Sequence, residues 1–279
     1  MSKYFEKMIS IERFKTCFEA NYKGPYNFTG EFHPFWEMVY VIDGCVNVSG
    51  DERIYTLTKG DIIFHKPMEF HRLWSKGKQD IHALIISFQA SGVHTKNLEG
   101  RAMTLEGECL EMMEGFLTFL RRRFDNGGGN FAKNMRSTEN NGQVQIAQNL
   151  LENFLLSLPT DNLMPIKREK ESVSETYRMI ITELSANVYG WITIDELAKK
   201  CNFSTAQIKR VFAKYSDIGI HKYFLKLKIA TAIKMLGDGH EISDISRILG
   251  FSSQNYFSGA FKRETGYSPT AYREKMPKI

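Results

Sequence analysis

The sequence predicts an α+β protein with two domains, a strand-rich N-terminal domain and an all-helical C-terminal domain. Three observations support this division of the 279 residues. Short strand-like runs with turn signals fill residues 28–88, apolar residues then recur at helical spacing, and positive charge collects in the last third of the chain. Two domains are also the usual arrangement at this length.

The N-terminal strands are predicted from short apolar or alternating runs. Turn signals such as Asp43-Gly44, Lys59-Gly60 and Lys66-Pro67 separate them. Short strands with turns every eight to twelve residues or so predict a β-barrel or sandwich, here over residues 1–100. The predicted strands cover residues 38–42, 46–48, 54–57, 62–64 and 82–88.

Two amphipathic helices are predicted after the strands, over residues 105–124 and 143–158, because apolar residues recur there every three to four positions. The stretch between them is rich in glycine and asparagine, so it is predicted to be a loop. Residues 101–160 are therefore expected to form a helical support or dimerisation segment. The polar segment 161–172 is typical of a linker, and residues 173–279 are expected to form the C-terminal domain.

Charge is divided unevenly along the chain. Residues 166–279 contain 19 Lys and Arg against 12 Asp and Glu, whereas the first 165 residues contain 18 against 20. A basic domain beside a nearly neutral one favours a polyanionic partner for the basic domain.

Cysteine spacing and hydropathy indicate the compartment. The four cysteines form no C-x-x-C pair, so neither a disulfide framework nor a zinc knuckle is expected. The first residues do not have the pattern of a signal peptide, and no apolar run reaches about 18 residues. We therefore expect a cytoplasmic protein without a membrane span.

An internal repeat in the C-terminal domain is the strongest feature of the sequence. Residues 194–204 match residues 242–252 at an offset of 48, and the offset becomes 49 after the turn. Each copy has a small residue in its first helix, Ala198 or Ser246, where a second helix can cross closely. Two such copies in the basic half of the chain predict two helix-turn-helix units.

The turn and cap residues of each copy fit this prediction. Asn202 and Gly250 tolerate the positive φ that a sharp turn requires. Phe203 and Phe251 follow as apolar seals, and Ser204 and Ser253 are predicted to cap the second helices. A helix over residues 222–236 joins the copies, and Ser268-Pro269 is predicted to start a final helix.

Residues 194–273, and above all GFSSQNYFSGAFKRETGYSPTAYR (250–273), resemble the AraC/XylS family of transcription regulators. This resemblance implies that both second helices enter the major groove of double-stranded DNA. Arg can bond bidentately to guanine, and Gln and Asn can bond bidentately to adenine. The implied base-reading residues are Thr205, Ala206, Lys209, Arg210, Gln254, Asn255 and Ser258.

Other basic residues are implied to contact phosphate, which gives affinity without sequence preference. They are Lys262 and Arg263, together with the lysines of the joining helix, Lys226, Lys228 and Lys234. Gly259 stands where many family members carry Arg, so the second copy is expected to read fewer bases or to rely on DNA shape.

Residues 32–44 resemble the first motif of cupin barrels, and Gly60-Asp61 with Pro67 and His71 resemble the second. The resemblance implies a cupin-like effector-binding barrel. Aromatic faces and a carboxylate suit a sugar or a similar polar compound. The candidate ligand contacts are His33, Trp36, Glu37, His71 and Trp74.

A metal site is the alternative for this pocket, because His33, Glu37 and His71 could form a His/Glu/His set. Phe35 stands where metal cupins usually present a second histidine, so we place an organic ligand ahead of a metal and expect no cofactor. His65 and His82 are expected to pack or to face solvent.

In related regulators the two helices after the barrel form an antiparallel dimer contact, so a homodimer is implied. The candidate contacts are Met112, Met113, Phe116, Leu150, Leu151 and Phe154. The alternative is that these residues pack on the barrel within one protomer.

The sequence therefore predicts a non-enzymatic DNA-binding regulator that responds to a small-molecule effector. Two competitors stay open at this point. One is a metal-dependent cupin enzyme with an accessory DNA-binding module, and the other is a ligand-independent DNA-binding protein whose barrel serves only dimerisation.

Overall fold

In the computed structural model the chain divides into two units, the first built from most of residues 1–170 and the second mainly from residues 171–279. The predicted linker, 161–172, lies outside the described residues. The structure describes residues 6–28, 30–31, 33–50, 53–67, 69–75, 77–125, 128–159, 175–216 and 218–274.

The described strands of the first unit form two antiparallel sheets, with orders β1-β8-β3-β6-β9 and β2-β7-β4-β5. The predicted barrel is thus a pair of sheets rather than one closed ring of described strands. The strands are β1 (Ser10–Tyr22), β2 (Tyr26–Asn27), β3 (Trp36–Asp43), β4 (Cys45–Gly50), β5 (Arg53–Thr58), β6 (Asp61–His65), β7 (His71–Ser75), β8 (Ile81–Ser91) and β9 (Ala102–Thr104).

Strand β3 shows how the sheets are buried on both faces. Val39 and Val41 belong to the core between the two sheets, together with residues such as Val48 of the opposite sheet. Met38 and Tyr40 point the other way, into a second core. Side chains alternate along a strand, so a nearly continuous apolar run fits a strand that is buried on both faces.

Strand β1 was not predicted from the sequence, although it pairs with β8 along its whole length. Charged residues such as Arg13, Lys15 and Glu19 interrupt its apolar pattern, so no clear period of two is visible. The residues of β7 were also not predicted to form a strand.

The first unit contains the helices α1 (Gly107–Phe124), α2 (Phe131–Met135) and α3 (Asn141–Ser157). Helices α1 and α3 confirm the two predicted amphipathic helices. The loop prediction is wrong for α2, because Phe131 and Met135 are buried in the second core. The side chain of Asn130 also caps α2 by accepting a hydrogen bond from the backbone N–H of Lys133.

The predicted dimer contacts are corrected by the structure. Met113, Phe116, Leu151 and Phe154 are completely buried in the core that β3 and β8 share with α1 and α3. Met112 and Leu150 are half-buried and pack against the same core. These side chains cover the sheet within one protomer, so the alternative interpretation describes them correctly.

The described residues from 175 to 274 of the second unit form helices joined by turns, and they contain the two predicted helix pairs, α5–α6 and α8–α9, with α7 between them. No described helix of the chain combines the length and the apolar character that a membrane span requires. The helices are α4 (Glu175–Ala186), α5 (Ile194–Lys200), α6 (Thr205–Tyr215), α7 (Ile220–Gly237), α8 (Ile242–Ile248), α9 (Gln254–Thr265) and α10 (Pro269–Glu274).

Candidate functional site

Both helix pairs contain the predicted sharp turn. Asn202 has a φ of 57° and Gly250 has a φ of 67°. The hydroxyl of Ser204 accepts a hydrogen bond from the N–H of Gln207 at 3.3 Å, and that of Ser253 accepts one from Tyr256 at 3.1 Å. The turn and cap predictions are therefore confirmed for both copies.

Helix α6 presents its basic residues to solvent. Ile208 and Phe212 are buried beneath it, while Lys209 and Arg210 are exposed. Of the other predicted base-reading residues, Ala206 is exposed and Thr205 is half-buried. This helix can therefore offer a guanidinium and an ammonium group to a nucleic acid.

Helix α9 presents amides, an aromatic ring and basic groups. Gln254 and Asn255 are exposed, Ser258 is half-buried, and Lys262 and Arg263 are exposed toward the end of the helix. Sequence reasoning missed Tyr256, which is 41% exposed. The signal for it was an aromatic residue within the polar face of this helix.

The guanidinium of Arg263 lies above the bare backbone of Gly259. A Cβ atom added at Gly259 would lie 3.7 Å from Nη1 of Arg263. In the repeat, Gly259 is equivalent to Arg210 of the first copy. In the second copy the guanidinium near this position therefore comes from Arg263, which lies one helical turn after Gly259.

The lysines of α7 differ from one another. Lys234 is exposed, as a phosphate contact requires, and Lys226 pairs with Glu264 at 3.4 Å. Lys228 is completely buried, so the phosphate prediction is wrong for this residue.

A second polar site lies in the first unit, between its two sheets. We call its five members the buried cluster: Glu37, His65, Glu69, His71 and Ser87. Glu37 of β3 is paired with His65 of β6 and with Ser87 of β8, so these three side chains share one face of the sheet. His71 comes from β7 of the opposite sheet.

Hydrogen bonds orient the groups of this cluster. Nδ1 of His71 donates to the backbone carbonyl of Glu69 at 3.0 Å, and its Nε2 lies 3.2 Å from Oε1 of Glu37. The hydroxyl of Ser87 donates to Oε2 of Glu37 at 2.9 Å. The two histidine rings are stacked, with centroids 4.4 Å apart. These contacts fix the orientation of each buried group.

His65 and Glu69 form a second pair in the cluster, with Nδ1 of His65 3.5 Å from Oε1 of Glu69, and the pKa values of both are shifted by their surroundings. Burial, reinforced by the nearby His71, lowers the pKa of His65. Burial raises the pKa of Glu69, but the hydrogen bond and charge of His65 and the backbone N–H of Lys66 outweigh burial, so the net pKa is lowered. Perturbed pKa values in buried groups are typical of functional sites.

Two side chains of the cluster carry groups that a metal ion can bind. They are Glu37 and His71, whose Oε1 and Nε2 atoms lie 3.2 Å apart. Imidazole nitrogen and carboxylate oxygen are both ligands that Zn²⁺ and similar ions accept.

The structure separates the predicted ligand contacts. Glu37, His71 and His33 are buried, and the first two meet in the cluster. Trp36 belongs to the core on the opposite face of the sheet, against α1 and α3. Trp74 is half-buried, and Arg72 lies over its ring at 4.7 Å, whereas its neighbour Leu73 faces the core between the sheets. Neither tryptophan joins the cluster.

The other two histidines also behave differently from each other. His65 is packed, as predicted, but sequence reasoning did not place it in the polar cluster. His82 is half-buried, and its Nε2 pairs with Oε2 of Glu19 at 2.6 Å. Arg121 of α1 binds the same carboxylate, so this contact ties α1 to β1.

Comparison with known protein families matches both parts of the chain. The sequence model described as "AraC-like ligand binding domain" matches residues 16–96, and the one described as "Helix-turn-helix domain" matches residues 197–275. Together these ranges cover most of the two sheets and most of both helix pairs.

Two of the curated relatives are HTH-type transcriptional regulators by name. The chain is 25% identical to the HTH-type transcriptional regulator GbdR of Pseudomonas aeruginosa over 197 residues, which cover 64% of this chain and 54% of GbdR. It is 28% identical to the HTH-type transcriptional activator RhaR of Yersinia pestis over 103 residues, which cover 37% of this chain and 36% of RhaR. The chain thus spans about half of the first relative and a third of the second.

Two solved structures also match this chain. ToxT of Vibrio cholerae matches 98% of this chain and 100% of its own, with 12% identity and a TM-score of 0.41. The C-terminal domain of AraT, a response regulator from Geobacillus stearothermophilus, matches 38% of this chain and 90% of its own, with 24% identity and a TM-score of 0.37.

Proposed function

We propose that this chain is a transcription regulator of the AraC family, whose two domain models it matches, and that it reads two neighbouring segments of promoter DNA with α6 and α9. In this proposal a small polar effector binds at the buried cluster and changes that DNA binding. An effector can do so only if its affinity differs between the DNA-binding arrangement and the other arrangement of the protein.

One observation supports the DNA-binding proposal most strongly. Two helices of the second unit follow capped turns of positive φ, and each exposes groups that can read base edges. Helix α6 offers Arg210 and Lys209, while α9 offers Gln254 and Asn255. Arg suits guanine, and Gln or Asn suits adenine.

The base-reading role of Arg210 is testable without a known operator. Purified full-length protein selects its preferred duplexes from a random-sequence library, and the recovered duplex is then used for titration. We expect Arg210→Ala to weaken specific binding by about 1–3 kcal/mol and to relax the preference at one base pair.

Arg178→Ala is the matched control, because it removes the same charge from an exposed position on α4. It should leave the base preference unchanged. If Arg210→Ala has the same base preference as the parent protein, Arg210 does not read a base.

The effector proposal is supported by the buried cluster. Two carboxylates and two imidazoles in a buried site can bind hydroxyl or amine groups but offer little to an apolar molecule. A sugar stays among the candidates, although Trp36 and Trp74 face away from the cluster and so provide no stacking surface there.

A thermal-shift screen of sugars, polyols and small amines tests this proposal. A true effector at a hundred times its Kd should stabilise the protein by about 2.7 kcal/mol. Glu37→Gln should abolish this stabilisation, whereas Glu111→Gln, on the exposed face of α1, should preserve it. Stabilisation that survives Glu37→Gln would place the effector elsewhere.

A divalent metal ion is the second candidate effector, because Glu37 and His71 bring a carboxylate and an imidazole together in the buried cluster. Titration with Zn²⁺, Co²⁺ and Ni²⁺ followed by calorimetry distinguishes the two. Stoichiometric binding that His71→Ala removes would favour the metal, and its absence would leave the organic effector.

A further inference from the structure

Lys228 is a charged residue in the middle of α7 whose side chain is completely buried. Its ammonium donates hydrogen bonds to three backbone carbonyls, those of Val188, Gly190 and Leu249. An ammonium has three N–H donors, so all of them find an acceptor. A buried charge is tolerated only when it is paired in this way.

Aromatic rings surround the same ammonium. The ring centroids of Phe224, Trp191 and Phe251 lie 4.7, 5.3 and 5.7 Å from Nζ. Cation–π attraction at these distances adds to the hydrogen bonds and leaves the side chain little freedom.

The three carbonyls belong to different helix-turn-helix units. Val188 and Gly190 lie in the turn between α4 and α5, which leads into the first helix-turn-helix copy. Leu249 directly follows α8 and begins the turn of the second copy. Lys228 therefore joins the entrance of one unit to the turn of the other.

The two backbones also touch directly at this joint. A Cβ atom added to Gly250 would lie 2.9 Å from the carbonyl carbon of Gly190, which is closer than real contacts allow. Because the contact is backbone against backbone, neither side can move aside as a flexible side chain would. The joint is tight on both sides of Lys228.

We propose that Lys228 is a positioning residue that fixes the separation of α6 and α9, and thereby the base-pair spacing between the two DNA segments that the chain binds. The inference rests on the proposed function, in which both helices enter the same duplex. Adding one base pair moves the second segment by about 3.4 Å and turns it by roughly 35°. A rigid joint would reject such a change, and a loose joint would accept it.

The test uses the full chain and the two-segment duplex recovered from the random library. Affinity is measured for this duplex, for duplexes with one base pair inserted or deleted between the segments, and for a duplex with a single segment. The readout is the ratio of affinities between the selected and the altered spacing.

We expect Lys228→Met to lower this ratio about fivefold or more, a size typical of coupled neighbours. Single-segment affinity should stay within about twofold of the parent value, because the recognition faces are untouched. Lys222→Met removes the same charge from an exposed position on the same helix, so it should leave the ratio unchanged. An unchanged ratio in a folded Lys228→Met protein would overturn the proposal.

Two outcomes separate this inference from the proposed function. If the parent protein recovers only single-segment duplexes, the two-helix binding mode is wrong. If Lys228→Met fails to fold, Lys228→Arg replaces it, since a planar guanidinium cannot reach all three carbonyls with the same geometry. Lys228→Arg should then bind the single segment normally and show a lower spacing ratio, and a parental ratio would again overturn the proposal.

Discussion

The two helix-turn-helix units have the same local design, but they carry it in different surroundings. In the first helix-turn-helix copy the turn residue Asn202 is exposed to solvent. In the second copy the equivalent Gly250 lies against the backbone of Gly190, and the backbone carbonyl of the preceding Leu249 accepts a hydrogen bond from Lys228. The same turn is therefore exposed to solvent in one copy and packed against another backbone segment in the other.

The start of each unit differs as well. Thr193 and Glu196 form a reciprocal capping box at the start of α5. Glu241 precedes α8 and makes no side-chain cap hydrogen bond there. The first helix-turn-helix copy therefore has a local capping contact at its start that the second copy lacks.

The largest expected effect tests what the units share. Phe212 and Phe261 are equivalent in the repeat, and both are almost completely buried. Replacing either by alanine should lower the free energy of unfolding by about 3–5 kcal/mol, as measured by urea denaturation. If one variant loses less than about half as much as the other, the two cores are not equivalent.

The turn residues should show the difference between the units. Gly250→Ala adds a Cβ at positive φ and pushes it into the Gly190 backbone, so we expect a loss of about 3 kcal/mol or more. Asn202→Ala adds no such clash and should cost about 1 kcal/mol. Asn202→Gly is the control and should be nearly neutral. Equal losses at Gly250 and Asn202 would show that the joint is not tight.

Lys228 should make the stability of the C-terminal helical domain depend on pH in the alkaline range. Burial lowers the pKa of Lys228 to about 8 from an ordinary lysine value of 10.5. Between these values the unfolded chain keeps a proton that the folded chain has lost, so the free energy of unfolding should rise with pH. We expect the parent protein to gain about 1–3 kcal/mol over this range relative to Lys228→Met. The opposite slope would mean that the three carbonyls hold the proton more strongly than burial expels it.

The caps give the smallest expected effects. Thr193→Ala should lower the stability of the first helix-turn-helix copy by about 1 kcal/mol, because the backbone N–H of Glu196 at the start of α5 loses its acceptor. Glu241→Thr should instead raise the stability of the second copy by about 0.5–1 kcal/mol by supplying the missing cap of α8. Hydrogen exchange of α5 and α8 reports each effect separately. If Thr193→Ala also speeds hydrogen exchange in α8, the two helix-turn-helix copies unfold together.

The sequence alone determined the features that depend on neighbouring residues. The apolar spacing predicted α1, α3 and α7, and the repeat predicted two helix pairs with turns at Asn202 and Gly250. Serine caps were also correct. A cap or a turn involves residues only two or three positions apart, so its signal is contained in a short stretch of sequence.

Tertiary structure decided where polar and apolar side chains lie. The backbone carbonyls that accept hydrogen bonds from Lys228 are 21 to 40 residues away along the chain. The residues next to Lys228 in the sequence therefore do not indicate that it is buried. The same holds for His65 in the buried cluster and for Trp36 on the opposite face of its sheet. The apolar faces of α1 and α3 could equally have served a dimer, and only the sheet beneath them settles that Phe116 and Phe154 belong to the core. Burial depends on partners brought together by the whole fold, and a local pattern cannot specify those partners.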